Sequence, residues 1–92
     1  MVKETNDMKL LKRIQQLPLG YSEVYYNTKK YGVTKSEFNH GKSYKIFAEE
    51  LGGNNFISLN YYITSQDEIL KPCEMPQEKV IHFLENYKIY LL

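Results

Sequence analysis

The sequence predicts an α+β domain: a two-layer sandwich in which a helix, three or four antiparallel strands and a second helix follow in that order. Three observations carry the expectation. Segments near each end repeat apolar residues at the three- and four-residue steps of an amphipathic helix. Between them lie runs rich in β-branched and aromatic residues, separated by turn-forming stretches. Two helices with one apolar stripe each must bury it, and alternating strands offer a face to receive it.

The first helix is expected over residues 7–17, where Met8, Leu10, Leu11, Ile14 and Leu17 share a face. Asn6 or Asp7 can cap its start, and Pro18 with Gly20 ends it. Residues 22–34 change character to Val24, Tyr25, Tyr26, Thr28, Tyr31, Val33 and Thr34, which suit a pleated surface. A turn is expected over residues 36–41, closing a hairpin whose second strand begins at Lys42. Residues 43–51 fit two periods. As a strand, Tyr44, Ile46 and Ala48 share a face; as a helix, Tyr44, Phe47, Ala48 and Leu51 do. The strand is preferred, because Glu49 and Glu50 would oppose a helix macrodipole and Gly52-Gly53-Asn54-Asn55 suits a tight reversal.

Residues 56–64 alternate strictly, with Ile57, Leu59, Tyr61 and Ile63 on one face and Ser58, Asn60 and Tyr62 on the other. A short edge strand is expected over residues 69–71, ended by Pro72, which cannot donate to a ladder. The last helix is expected over residues 76–87, with Pro76 in its first turn and Val80, Phe83, Leu84 and Tyr87 as its stripe.

At 92 residues the chain is expected to be one small domain, residues 1–92, with no room for separate cofactor and substrate domains. One cysteine excludes an internal disulfide and suits a reducing compartment, so a cytoplasmic location is expected. No apolar run is long enough to span a bilayer and the first residues lack a signal-peptide core, so no membrane association is expected.

Most catalytic chemistries lack their residues. His40 and His82 are the only histidines and Cys73 the only thiol, in no metal-binding spacing, so neither metal nor cofactor is expected. Glu49-Glu50 and Asp67-Glu68 are adjacent pairs, which places their members on opposite faces of a strand. Gly41-Lys42-Ser43 echoes a phosphate loop but has Ser36 where the first glycine belongs. No Gly-x-Ser-x-Gly elbow is present, and His40 and His82 read as surface histidines.

Cys73 is the one residue with a chemical argument. It lies shortly before a predicted helix N-terminus with Lys71 near, both of which favour a thiolate, while Glu74 opposes it. The competing reading is a small buried hydrophobe at a strand-to-helix junction, where free cysteines are common.

Net charge is only +1, yet residues 1–46 carry nine Lys+Arg against four Asp+Glu, and residues 47–92 carry three against seven. Lys29, Lys30, Lys35, Lys42 and Lys45 fall on the predicted first hairpin beside Tyr25, Tyr26, Tyr31 and Tyr44. Lysines interleaved with rings are what a nucleic-acid surface uses, and Lys29, Lys30, Tyr31, Lys42 and Lys45 are its candidates. Against it, edge strands use lysines to block pairing, and an isoelectric point near 7.8 is low for such a domain. The uncharged tail Ile89, Tyr90, Leu91 and Leu92 is the candidate for self-association.

Two resemblances add to this. The helix–strands–helix order is similar in outline to the double-stranded-RNA-binding domain, but Pro76-Gln77-Glu78-Lys79 is mixed in charge where that family has a basic cluster. Residues 41–60, GKSYKIFAEELGGNNFISLN, resemble a small bacterial family of unassigned role, some of whose members are labelled peptide methionine sulfoxide reductase. That resemblance implies a thiol-dependent reduction at Cys73, with Glu74, Tyr61 or Tyr62 as helpers. The Gly-Cys-Phe-Trp motif and paired cysteines of the established reductases are absent. The leading expectation is a non-catalytic accessory or interaction module. Its outward Tyr-rich sheet face or its apolar tail would meet a protein partner or a second copy.

Overall fold

The computed structural model describes residues 3–89, with side chains from residue 10 onward. The elements run α1 (Lys3–Gln16), β1 (Gly20–Tyr26), β2 (Lys29–Phe38), β3 (Ser43–Glu50), β4 (Phe56–Ile63), β5 (Glu68–Pro72), α2 (Gln77–Asn86) and β6 (Lys88–Ile89). All six strands join one antiparallel sheet in the order β5-β4-β3-β2-β1-β6. The expected helix, three or four strands, helix sandwich is thereby overturned, and with it the order shared with the double-stranded-RNA-binding domain. Five strands separate the helices, a sixth follows the second helix, and the sheet rather than a helix pair dominates the molecule.

Two local features account for the miscount. The run over residues 22–34 is not one strand. It reverses at Asn27-Thr28, whose φ values of 52 and 63 make a tight two-residue hairpin turn. Strand β2 then continues through Phe38, past the position where a turn was expected, and the chain reverses over Asn39, His40 and Gly41 instead. At the other end, Lys88 and Ile89 leave α2 and pair with Tyr25 and Val24, adding an edge strand. Helix α1 also starts earlier than expected, so Asn6 and Asp7 lie inside it instead of capping it. The ambiguous run over residues 43–51 forms strand β3, and Gly52, at φ 84, supports the reversal into β4.

Alternation sorts the strands into a covered and an open face. Val24, Tyr26, Tyr31, Val33, Tyr44, Ile46, Ala48, Ile57, Leu59 and Tyr61 point to one side and are buried with Leu10, Ile14 and Leu17 of the α1 region and Val80, Phe83 and Leu84 of α2. Phe83 sits at the centre: its ring lies 5.0 Å from Tyr26, 5.9 Å from Tyr31 and 5.7 Å from Tyr87.

A basic side chain from elsewhere in the fold seals each helix C-terminus. Lys35, on the covered face of β2, donates from Nζ to the carbonyls of Ile14 and Leu17 at 2.8 and 2.7 Å. Arg13 donates from Nε to the Leu84 carbonyl at 2.7 Å and from Nη2 to the Tyr87 carbonyl. The Arg13 guanidinium also lies 4.0 Å over the Tyr87 ring, and the Tyr87 hydroxyl donates back to the Arg13 carbonyl. Orphan helix carbonyls and the negative dipole end are thus both met by a cation, which fixes the helices to the sheet and to each other.

Candidate functional site

The open face of the sheet is where exposed chemistry concentrates. Of the large apolar side chains that remain exposed, Tyr21, Tyr25, Phe38, Phe47, Phe56, Tyr62 and Ile69 all point to this side. Registered pairing sets them in rows across the strands. A central row runs Tyr21, Thr34, Phe47 and Ser58, and Cys73 extends it, its backbone N–H donating to Ser58 at 2.9 Å. On one side lies Glu23, Gly32, Glu49, Phe56. On the other lies Ser36, Lys45, Asn60, Lys71. Beyond the lysine row come Phe38, Ser43, Tyr62 and Ile69. The result is a ring-bearing row flanked by an acidic row and a basic row.

Why the face is shaped this way follows from the strands. Gly32 has no Cβ, and Tyr21 occupies the space: a methyl there would stand 2.6 Å from the Tyr21 hydroxyl. That hydroxyl donates to Glu23 at 3.2 Å. Phe47 and Phe56 lie diagonally across β3 and β4 with ring centres 6.0 Å apart.

The lysine–tyrosine candidates do not assemble as the sequence suggested. Lys29 and Lys30 sit at the β1–β2 turn, whereas Lys42 and Lys45 sit at the opposite end of the sheet. Lys29 approaches Glu50 at 3.7 Å and Lys30 approaches Glu23 at 3.6 Å, so both already face carboxylates. Tyr31 is 3% exposed; its hydroxyl accepts from Asn55 at 2.8 Å and its ring packs on Tyr26 and Phe83. It offers no ring to a ligand. Lys35 is buried as a helix cap. Burial pushes its ammonium below the usual lysine range, and Glu37 opposes this. Lys45 is the candidate left exposed on the open face.

Cys73 is partly buried, and the Asn60 amide stands 3.5 Å from its sulfur. Lys71 shares its face two residues earlier, and Glu74 follows in a left-handed conformation at φ 61. Tyr62 lies on this face too, but Tyr61 points to the other and donates to Glu68 at 2.6 Å. The tail candidates divide: Ile89 forms the edge strand β6, while Tyr90, Leu91 and Leu92 lie outside the described residues.

Two other places could hold a small molecule. A cleft of about 320 Å³ between α2 and the β4–β5 hairpin is walled by Leu10, Leu70 and Ile81, with Glu68 and Glu85 at its rim. A wider depression of about 430 Å³ lies at the β1–β2 turn against Asn86 and Lys88. His82 accepts or donates a 2.5 Å hydrogen bond with the Tyr26 hydroxyl and is tied to neither. Among the described residues, no group of three or more His, Cys, Asp or Glu could hold a metal ion, and no helix is long and apolar enough to cross a membrane.

Sequence reasoning foresaw an outward face bearing tyrosines but missed Phe47, Phe56 and Glu49 as its centre. The signal was available in β3, where Lys45, Phe47 and Glu49 alternate with Tyr44, Ile46 and Ala48. Comparison with protein-family models, with curated proteins and with solved structures found no match for this chain.

Proposed function

We propose that this chain is a protein-interaction module and that the open face of its sheet is the binding surface. One observation carries the reading: a single sheet face, away from the helices except where Lys79 of α2 reaches the Phe56 ring at 5.6 Å, holds six aromatic rings that are 37–61% exposed. Water-facing rings in such number mark an interaction site, because contiguous apolar patches on monomers are small. Aromatic side chains also supply most of the energy in protein interfaces.

Protein is favoured over nucleic acid by the charge on the face. Glu23 and Glu49 stand among the rings, and Lys30 is opposed by Glu23 at 3.6 Å. A polyanion would meet carboxylates where it needs cations.

Photo-crosslinking in cells that express the protein tests the reading. A benzoylphenylalanine in place of Phe47 is expected to give protein adducts, and one in place of Gln15, on the exposed side of α1, is expected to give none. Adducts with nucleic acid alone, or none from position 47, would sink it.

A further inference from the structure

We infer that the partner on the open face is a second copy of this chain, seated face to face about an in-plane two-fold axis that follows the central row. The inference rests on the reading of that face as an interaction surface and names its occupant.

A two-fold axis lying in the sheet plane along Tyr21, Thr34, Phe47 and Ser58 leaves that row in place and exchanges the rows on either side. The lysine row of one copy then faces the glutamate row of the other. Lys45 and Glu49 both belong to β3, one step to either side of Phe47. The operation therefore sets Lys45 against Glu49 of the second copy, and Glu49 against its Lys45. The same operation places the small Ser36 over the Tyr21 ring that covers Gly32, and Phe47 beside Phe47.

Within one copy this pair cannot form. Four residues along a strand separate the two by about 13.6 Å. Among the described residues neither Lys45 nor Glu49 enters an ion pair, and both are exposed. Stacked sheets commonly cross at about 30°. At the one-step radius of about 6.8 Å, that rotation displaces facing positions by roughly 3.5 Å, within reach of a lysine side chain. With the Tyr25–Lys30 pair as a fifth, outermost row, the face spans at most roughly 19 by 27 Å. Pairing two such faces would bury at most about 1,000 Å², the lower limit for a specific interface, so association is weak and concentration-dependent.

Sedimentation equilibrium of the full chain, with circular dichroism to confirm folding, tests this with wild type, Lys45→Glu, Glu49→Lys and the double reversal. The wild type is expected to dimerise, each single reversal to weaken the dimer at least about tenfold, and the double reversal to restore it to within about threefold. A wild type still monomeric at about 1 mM overturns the inference. So does a dimer that ignores the single reversals, or a double reversal that fails to restore it. The crosslinking experiment separates this failure from failure of the interaction reading. Adducts from position 47 to other proteins, with a monomeric wild type, would leave the module and remove the second copy.

Discussion

Tyr26, Tyr31, Tyr44 and Tyr61 are each 2–7% exposed on the covered face, whereas Tyr21, Tyr25 and Tyr62, on the opposite face of the same sheet, stand 61%, 39% and 37% exposed. Residue type does not separate the two sets; strand alternation does. On the covered side the rings interlock around Phe83, and hydroxyls find partners in His82, Asn55 and Glu68. On the open side Tyr21 stacks on a glycine and reaches a neighbouring glutamate. The covered face builds the core, and the open face is the proposed binding surface. Substitutions on the two faces should therefore separate stability from association.

The largest effect is expected at Phe83, which is fully buried and touches three aromatic rings. Phe83→Ala should cost about 3–5 kcal/mol, most of what a domain of this size has, as measured by urea unfolding. A loss below about 1 kcal/mol would mean that the helices do not anchor the sheet.

Next comes Lys35→Met, which keeps the side chain's apolar stem and removes its donors. The Leu17 carbonyl loses the Lys35 donor and the Ile14 carbonyl keeps only the Leu17 N–H at 3.3 Å, at a cost of about 1–3 kcal/mol. The pH dependence should change with it. Burial lowers the Lys35 value in the folded chain, so the unfolded chain holds more protons below the ordinary lysine value of 10.5. Wild-type stability gains from Lys35 as pH rises through that window. Burial pushes Tyr26 and Tyr87 above 10.0, with Arg13 opposing at Tyr87, and they act in the other direction. Unfolding then releases their protons, so stability falls with rising pH. The variant, lacking the Lys35 contribution, should lose stability in alkali more steeply than the wild type; parallel curves would refute the assignment.

How much of this contrast could be read from the sequence depended on side-chain period. The covered faces of β3 and β4 were legible because Tyr44, Ile46 and Ala48, and Ile57, Leu59 and Tyr61, alternate without a break. The stripe of α2 was legible for the same reason at helical period. The β1–β2 hairpin was hidden because its turn is Asn27-Thr28 and not Asn-Gly, and a β-branched residue seldom takes a left-handed conformation. With that reversal missed, lysines at opposite ends of the sheet looked like neighbours, and the strand count came out low. The helix caps at Lys35 and Arg13 join positions 18 to 74 residues apart, which no local pattern encodes.

That hidden turn yields a smaller effect of opposite sign. Thr28 at φ 63 carries the steric cost of a left-handed β-branched residue, about 1–2 kcal/mol, against the roughly 0.5–1 kcal/mol of extra chain entropy a glycine would bring. Thr28→Gly should therefore stabilise the domain by about 0.5–1 kcal/mol in the same urea assay. The hydrogen bond from its hydroxyl to the Asn27 carbonyl is exposed and offsets little. Destabilisation would show that this turn is held by contacts the strain does not outweigh.

The smallest effect on stability, and the sharpest separation of the faces, is expected at Phe47. Its ring is 38% exposed and, among the described residues, meets the Phe56 ring alone, at 6.0 Å. Threonine retains the strand preference that a central β3 position requires. Phe47→Thr should therefore change unfolding free energy by no more than about 0.5 kcal/mol. Yet the substitution sits on the proposed two-fold axis, where one change removes two rings from the interface at once. An association that survives Phe47→Thr with full strength would place the contact elsewhere, and a large loss of stability would mean that this face, too, belongs to the fold. Only unchanged folding with lost pairing fits a sheet that packs on one side and binds on the other.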